Sequence, residues 1–215
     1  MKELIRKEFR LAMHPTAVMF LFLSAMLMIP NYPFYVICFY TSLGLFFICL
    51  TGRENRDIEY TLLLPIAKRQ LVYARILLAV ILEMAQLAAA VPFAILRGCL
   101  PIPPNVVGIE ANTAFFGSAF ALYGLFNLIF FTAYYRAPDH VGRAFIGASA
   151  AQAVYMLLAE TAVHAIPFAK AVLDTPDPAN MGAKLPVLAA GIVIFAVLTW
   201  IAAKRAVKSF ETLDL

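Results

Sequence analysis

The chain has 215 residues, of which 63% are hydrophobic and 14% charged, with a mean hydropathy of +0.83. Soluble domains run at about 45–50% apolar and about 25% charged residues, so an ordinary soluble fold is excluded. The formal net charge of +4 carries no nucleic-acid signal, because its cations follow a membrane topology.

Residues 1–13 set Leu4, Ile5, Phe9 and Ala12 at helical spacing, with Lys2, Glu3, Arg6, Lys7 and Arg10 on the other side. That pattern predicts an amphipathic helix lying in the membrane interface, its cationic face toward anionic head groups. No cleavable signal peptide is expected, since charged helix precedes the first apolar run and no small-x-small site follows it.

Six membrane spans are expected, at 16–30, 34–51, 71–96, 113–135, 144–166 and 185–203. The first is short for a hydrocarbon core of about 30 Å, which needs about 20 helical residues. Asn31-Tyr32-Pro33 reads as a tight turn, 97–112 as an ordered connection, and 167–184 as a second outer loop with a short apolar piece, Phe168 to Leu173.

Lysine and arginine fix the expected orientation. Lys2, Arg6, Lys7, Arg10, Arg53, Arg56, Lys68, Arg69, Arg75, Arg136, Arg143, Lys204, Arg205 and Lys208 fall on one side, and only Arg97, Lys170 and Lys184 on the other. The first side is therefore expected to be cytoplasmic, with both termini on it, in the cell membrane. Tyr32, Phe34, Tyr35, Tyr123, Tyr134 and Tyr135 read as aromatic belts near the water boundaries.

Between spans two and three, residues 52–70 interrupt the apolar pattern with a charged stretch that contains Leu62, Leu63, Leu64, Pro65 and Ile66. A solvated connector has no need of bulky apolar residues around a proline, whereas a short helix that docks in a partner's groove does. Pro65, with its preset φ and no N–H, suits a first helical turn and would set Ile66, Leu71 and Val72 on one early face beside Lys68 and Arg69. The competing reading is a positive-inside connector whose leucines belong to the span ends.

Glu54-Asn55, Tyr60, Leu62-Leu63-Leu64-Pro65-Ile66-Ala67-Lys68-Arg69, Val72 and Arg75 together resemble the cytoplasmic loop of ABC type-2 permeases. The resemblance is to the compact peptide- and toxin-export branch that includes the phenol-soluble-modulin exporter permeases. Ala67 stands where that branch usually has serine, and Lys68 where it usually has arginine. The resemblance implies an all-α membrane protein with one transmembrane domain over 1–215: an interfacial helix, six spans, and a coupling helix between spans two and three. It further implies a second permease copy or paralogue and two ATPase subunits gripping Tyr60, Leu62, Leu63, Leu64, Pro65, Ile66, Lys68 and Arg69. ATP and magnesium would sit on those subunits, and no cofactor is expected in this chain. The sequence contains no GxxxxGK[ST] loop, so it is not expected to be an enzyme itself.

Glu83 and Glu160 fall inside expected spans, where an ionisable group is a candidate functional residue. Glu160 and His164 stand at i, i+4 and so share a helix face, which suits a proton relay or two ligands of a metal. A third ligand is wanting, and Cys38, Cys49 and Cys99 show no metal or redox spacing, so no metal is expected. An intramembrane enzyme or an ion-coupled carrier built on Glu83, Glu160 and His164 is the alternative to a permease. Asn127 and Gln152 read as interhelical bonding residues, and Gly147 with Ala151 as a face for close helix approach.

Overall fold

The computed structural model describes residues 2–213. Met1, Asp214, Leu215 and the side chain of Lys2 lie outside the described residues, and with them the first residue of the expected surface helix and Lys2 of its basic face. Every regular element among the described residues is helical. The helices are α1 (Lys2–Lys7), α2 (Pro15–Leu21), α3 (Val36–Glu54), α4 (Asp57–Leu62), α5 (Lys68–Cys99), α6 (Thr113–Tyr134), α7 (Val141–Ala165) and α8 (Met181–Glu211). Five of these are long and apolar enough to cross a membrane, and six spans result if the bent segment 3–28 counts as one.

That segment turns by 90° between Ala12 and Pro15. The break has local causes. Pro15 has no N–H to give and stands at the first position of α2, while Thr16 N–H is capped by His14 Nδ1 at 3.3 Å. Beyond Leu21 the chain tightens into a 3-10 helix over Phe22–Met28. A 3-10 helix rises about 2.0 Å per residue against 1.5 Å, so Pro15–Met28 reaches about 25 Å instead of about 21 Å. A run too short for an α-helical span is lengthened by changing helix type.

Helix α6 is the central rod. Two thirds of its apolar stretch is buried, against about a fifth for α7 and α8. It meets α8 backbone to backbone through Gly117, Gly124 and Gly191, whose absent side chains would collide with the facing helix. Gly147, expected to mediate close approach, meets nothing within 4 Å. Toward its C-terminal end α6 carries a ladder, Phe126 over Phe130 at 5.0 Å and Phe130 over Tyr134 at 5.8 Å, with Phe210 of α8 edge-on to Tyr135. Spacing of i, i+4 makes the ladder possible.

The expected aromatic belt is corrected here. Phe34, Tyr35, Tyr123, Tyr134 and Tyr135 are all fully buried, and only Tyr32 is half-exposed. Tyr35 stays inside because its hydroxyl is paired with Ser118 Oγ, which removes the need for water at the ring's polar tip.

Opposite the end that carries both chain termini, the connections fold down as a cap. Arg97 is not a loop cation but lies in the last turn of α5, buried. It donates to Glu110 Oε2 at 3.0 Å and to the carbonyls of Leu27 and Pro103, with its guanidinium 5.1 Å over Phe34. Lys184 likewise lies within α8 and is buried against Asp177 at 2.8 Å. Asn112 caps α6 and holds the carbonyls of Leu173 and Thr175, which ties the two outer connections together.

Candidate functional site

At the end carrying the termini, α3 closes at Glu54 and Arg56 takes a left-handed conformation, φ 52°. The chain then reverses into α4, a helix of six residues with Asp57 and Glu59 in its first turn, where carboxylates favour the helix dipole. Residues 63–67 are irregular, and α5 begins at Lys68 with Ala67 N–H satisfied by Gln70 Oε1 at 3.1 Å.

This corrects the expected helix around Pro65. The proline disfavours helical geometry at Leu64, so the short helix lies before it and Pro65 and Ile66 stand in no helix. Leu71 and Val72 are core residues, not part of a docking face. Leu62 packs half-buried against the core, as does Ile58. What faces outward is Tyr60 (67% exposed), Leu63 (81%) and Leu64 (54%), continued by exposed Pro65. Ile66 is half-buried and Arg69 exposed. Lys68 is not a free rim cation, because its ammonium bonds the Leu213 carbonyl and lies 5.9 Å over the Phe210 ring.

Beneath the patch lies a buried cluster of charges that the sequence reading missed. Arg75, buried one helical turn beyond Leu71, donates through Nε and Nη2 to Glu8 and through Nη2 to Asp57 Oδ2 at 2.6 Å. Lys7 is paired with Asp57 and donates to Thr61 Oγ1 at 2.7 Å. Two cations and two carboxylates from α1, its continuation, α4 and α5 thus close into one neutral group. Gly52 of α3 makes room for it: a Cβ there would stand 3.3 Å from Arg75 Nη1. Burial alone would raise the Asp57 carboxyl, but the Arg75 guanidinium and Lys7 ammonium outweigh it and hold Asp57 below the ordinary carboxylate range.

Glu8 explains why the expected face of the first helix is off. The buried positions are Leu4, Glu8 and Ala12, while Phe9 and Leu11 are exposed. From Glu8 to Ala12 the helix widens to π geometry, with Met13 N–H bonding the Glu8 carbonyl at 2.9 Å. The wider turn keeps Ala12 in line with Leu4 and Glu8, and Phe9, five residues after Leu4, falls off that face. The i, i+4, i+8 spacing of Leu4, Glu8 and Ala12 was the available signal: a carboxylate on an apolar stripe calls for a buried cation.

A cleft of about 450 Å³ runs beside the cluster, with Leu11, Ala12, Asn55, Tyr60 and Leu64 among its walls.

In the bundle interior Glu83 is fully buried and accepts from Asn127 Nδ2 at 3.0 Å, an amide that also reaches Thr199 Oγ1 at 3.1 Å. Glu83 Oε1 and Asn127 Oδ1 have no partner among the described residues. Gln152 bonds Ser42, and Gln86 bonds Ser24, across helices.

Glu160 and His164 do not pair with each other. Glu160 Oε2 accepts from Ile109 N–H at 3.1 Å, and His164 Nε2 donates to the Val107 carbonyl at 3.2 Å. Both clamp the 100–112 connection, and Gly108 permits it, since a Cβ there would stand 1.4 Å from Glu160 Oε2. Among the described residues no group of three or more His, Cys, Asp or Glu side chains is placed to hold a metal.

A family model described as ABC-2 family transporter protein matches residues 3–211. The chain belongs to the ABC-2 transporter family. No curated protein and no solved structure matches it. The match covers nearly all of the described helices, so this ABC-2 protein is the membrane-embedded permease component of an ABC transporter, a transporter and not itself an enzyme.

Proposed function

We propose that the chain is the permease subunit of an ATP-driven exporter, related to the compact peptide- and toxin-export branch. It pairs with a second permease copy or paralogue and is driven by two separate ATPase subunits that carry ATP and magnesium. Residues 52–70 and both termini face the cytoplasm, and the bundle sits in the cell membrane. The distribution of lysine and arginine supports that orientation, and α1 with its basic face lies along the same surface.

The observation that carries this reading is the patch of Tyr60, Leu63, Leu64 and Pro65. It is apolar, lies off the bundle on a short helix and its following turn, and is bordered by Arg56, Glu59 and Arg69. An apolar centre with a charged rim is the make-up of a protein-binding surface. The ATPase grips this patch, and nucleotide-driven closure of the two ATPases rocks the helices between access states.

The test is a mild-detergent pull-down of the tagged chain from its native membrane. A stoichiometric ATPase that is lost on Leu63→Asp with Leu64→Ala, while the helices stay folded by circular dichroism, is the expected result. Full ATPase recovery with that double variant would remove the patch from its proposed role.

A further inference from the structure

We propose that Arg75, with Glu8, Asp57 and Lys7, forms the joint through which movement of α4 and its exposed patch is passed to α5. The proposal rests on the reading of residues 52–70 as the ATPase contact, and it names the positioning residues behind that contact.

Three features of the structure converge. First, α4 has little of its own to hold it. It has six residues, lies between a left-handed Arg56 and an irregular stretch, and Thr61 is its one fully buried residue. Helices this short are not stable alone, so α4 is held by the packing of Ile58 and Leu62 and by what Asp57 and Thr61 bond. Both bond the cluster: Asp57 to Arg75 and Lys7, Thr61 to Lys7.

Second, the cluster cannot be opened piecemeal. Arg75 and Glu8 are almost wholly buried, their side chains 4% and 2% exposed. Separating Arg75 from its two carboxylates leaves an uncompensated charge in a low-dielectric site, which is far more costly than breaking an exposed ion pair. The three elements that supply the charges therefore move as one.

Third, Arg75 stands in the second turn of α5, a helix of 32 residues running to Cys99. A displacement applied at Arg75 enters a long rod that also carries Glu83 in the bundle interior and Arg97 in the opposite cap. The patch, the cluster and α5 form one mechanical line, with α1 held to it through Glu8 as a brace along the membrane surface.

The experiment uses the chain with its co-purified ATPases in bilayer discs of phosphatidylethanolamine and phosphatidylglycerol. Exposed Cys99 is changed to serine, and spin labels are placed at two pairs of exposed sites. Glu59→Cys with Leu77→Cys reads the joint without touching the apolar patch; Leu77→Cys with Val193→Cys reads α5 against α8. On adding ATP and vanadate, the 59–77 distance should stay narrow and unchanged while the 77–193 distance shifts. In ATPase-bound Asp57→Asn or Arg75→Gln, the 59–77 distribution should broaden and the 77–193 shift should be lost. The conservative Asp57→Glu keeps the charge and should retain part of the shift that Asp57→Asn loses. A full 77–193 shift in folded Asp57→Asn overturns the joint and leaves the ATPase contact standing. If Arg75→Gln does not fold, Asp57→Asn decides, because Asp57 is partly exposed. A wild-type chain that brings down no ATPase overturns the proposed function itself, and the joint with it.

Discussion

Gly191 of α8 lies directly against Gly117 of α6: a methyl group on Gly191 would stand 1.8 Å from the Gly117 carbonyl oxygen. The obstacle is backbone, so no rotamer change relieves it. Gly191→Ala must push α8 off the central rod, and overpacking of this kind costs about 3 kcal/mol or more when the neighbour cannot yield. Gly147→Ala is the internal control. Its Cβ enters open space, and replacing a mid-helix glycine by alanine gains up to about 1 kcal/mol. Thermal unfolding in detergent should lower the midpoint for the first and hold or raise it for the second. Equal midpoints would mean that α6 and α8 do not meet here.

Arg75 and Glu8 make a second pair whose worth can be measured. Arg75→Met leaves Glu8 buried without its cation and should destabilise by about 3–5 kcal/mol. Glu8→Met does the same to Arg75, relieved in part by Asp57. Together the two changes remove one charge of each sign and leave the Lys7–Asp57 pair intact, so the double variant should be less damaged than the singles summed. A cycle of unfolding free energies reads the coupling, and strict additivity would show that the two side chains do not interact.

These relationships mark what the sequence disclosed and what it withheld. Apolar runs show where long helices stand, because a chain that must satisfy its backbone in lipid has few options. The loop motif from Glu54 to Arg75 pointed to the family that the match over 3–211 establishes. Three things stayed hidden. Glu8 and Arg75 are 67 positions apart, and no local periodicity joins them. The π turn at Glu8–Ala12 and the 3-10 turn at Phe22–Met28 shift faces and lengths that a uniform 3.6-residue period cannot anticipate. Tyr35, Tyr134 and Tyr135 look amphipathic in sequence, yet neighbours from distant helices bury them. Around Pro65 the expected helix was placed on the wrong side of the proline: α4 ends at Leu62, before it.

Acid should loosen the cluster at one identifiable residue. The Asp57 carboxyl titrates below its ordinary value of 3.8 in the folded chain. Its stabilisation is therefore fully present above the ordinary carboxylate range and lost as pH falls through the lowered value. The unfolding midpoint of the wild type should drop across that acid window. Asp57→Asn, with no charge to lose at this position, should start lower and show a smaller drop. Parallel acid curves for the two proteins would remove Asp57 from the cluster's energetics.

Glu83 separates charge from shape. Its carboxyl is fully buried, holds one N–H from Asn127, and pairs with no lysine or arginine among the described residues. Nothing in that setting rewards a negative charge. Gln keeps the acceptor for Asn127 Nδ2 and carries no charge to bury. Glu83→Gln should therefore match or exceed the wild type in stability. Glu83→Ala leaves Asn127 Nδ2 with Thr199 Oγ1 as its one acceptor and should cost about 1–3 kcal/mol from the lost bond, with a further penalty for the cavity. Unfolding midpoints in the order Gln, wild type, Ala support a packing and bonding role. A Gln variant as damaged as the Ala variant would show that the charge itself is required, and would point to a cation held between α5 and α6.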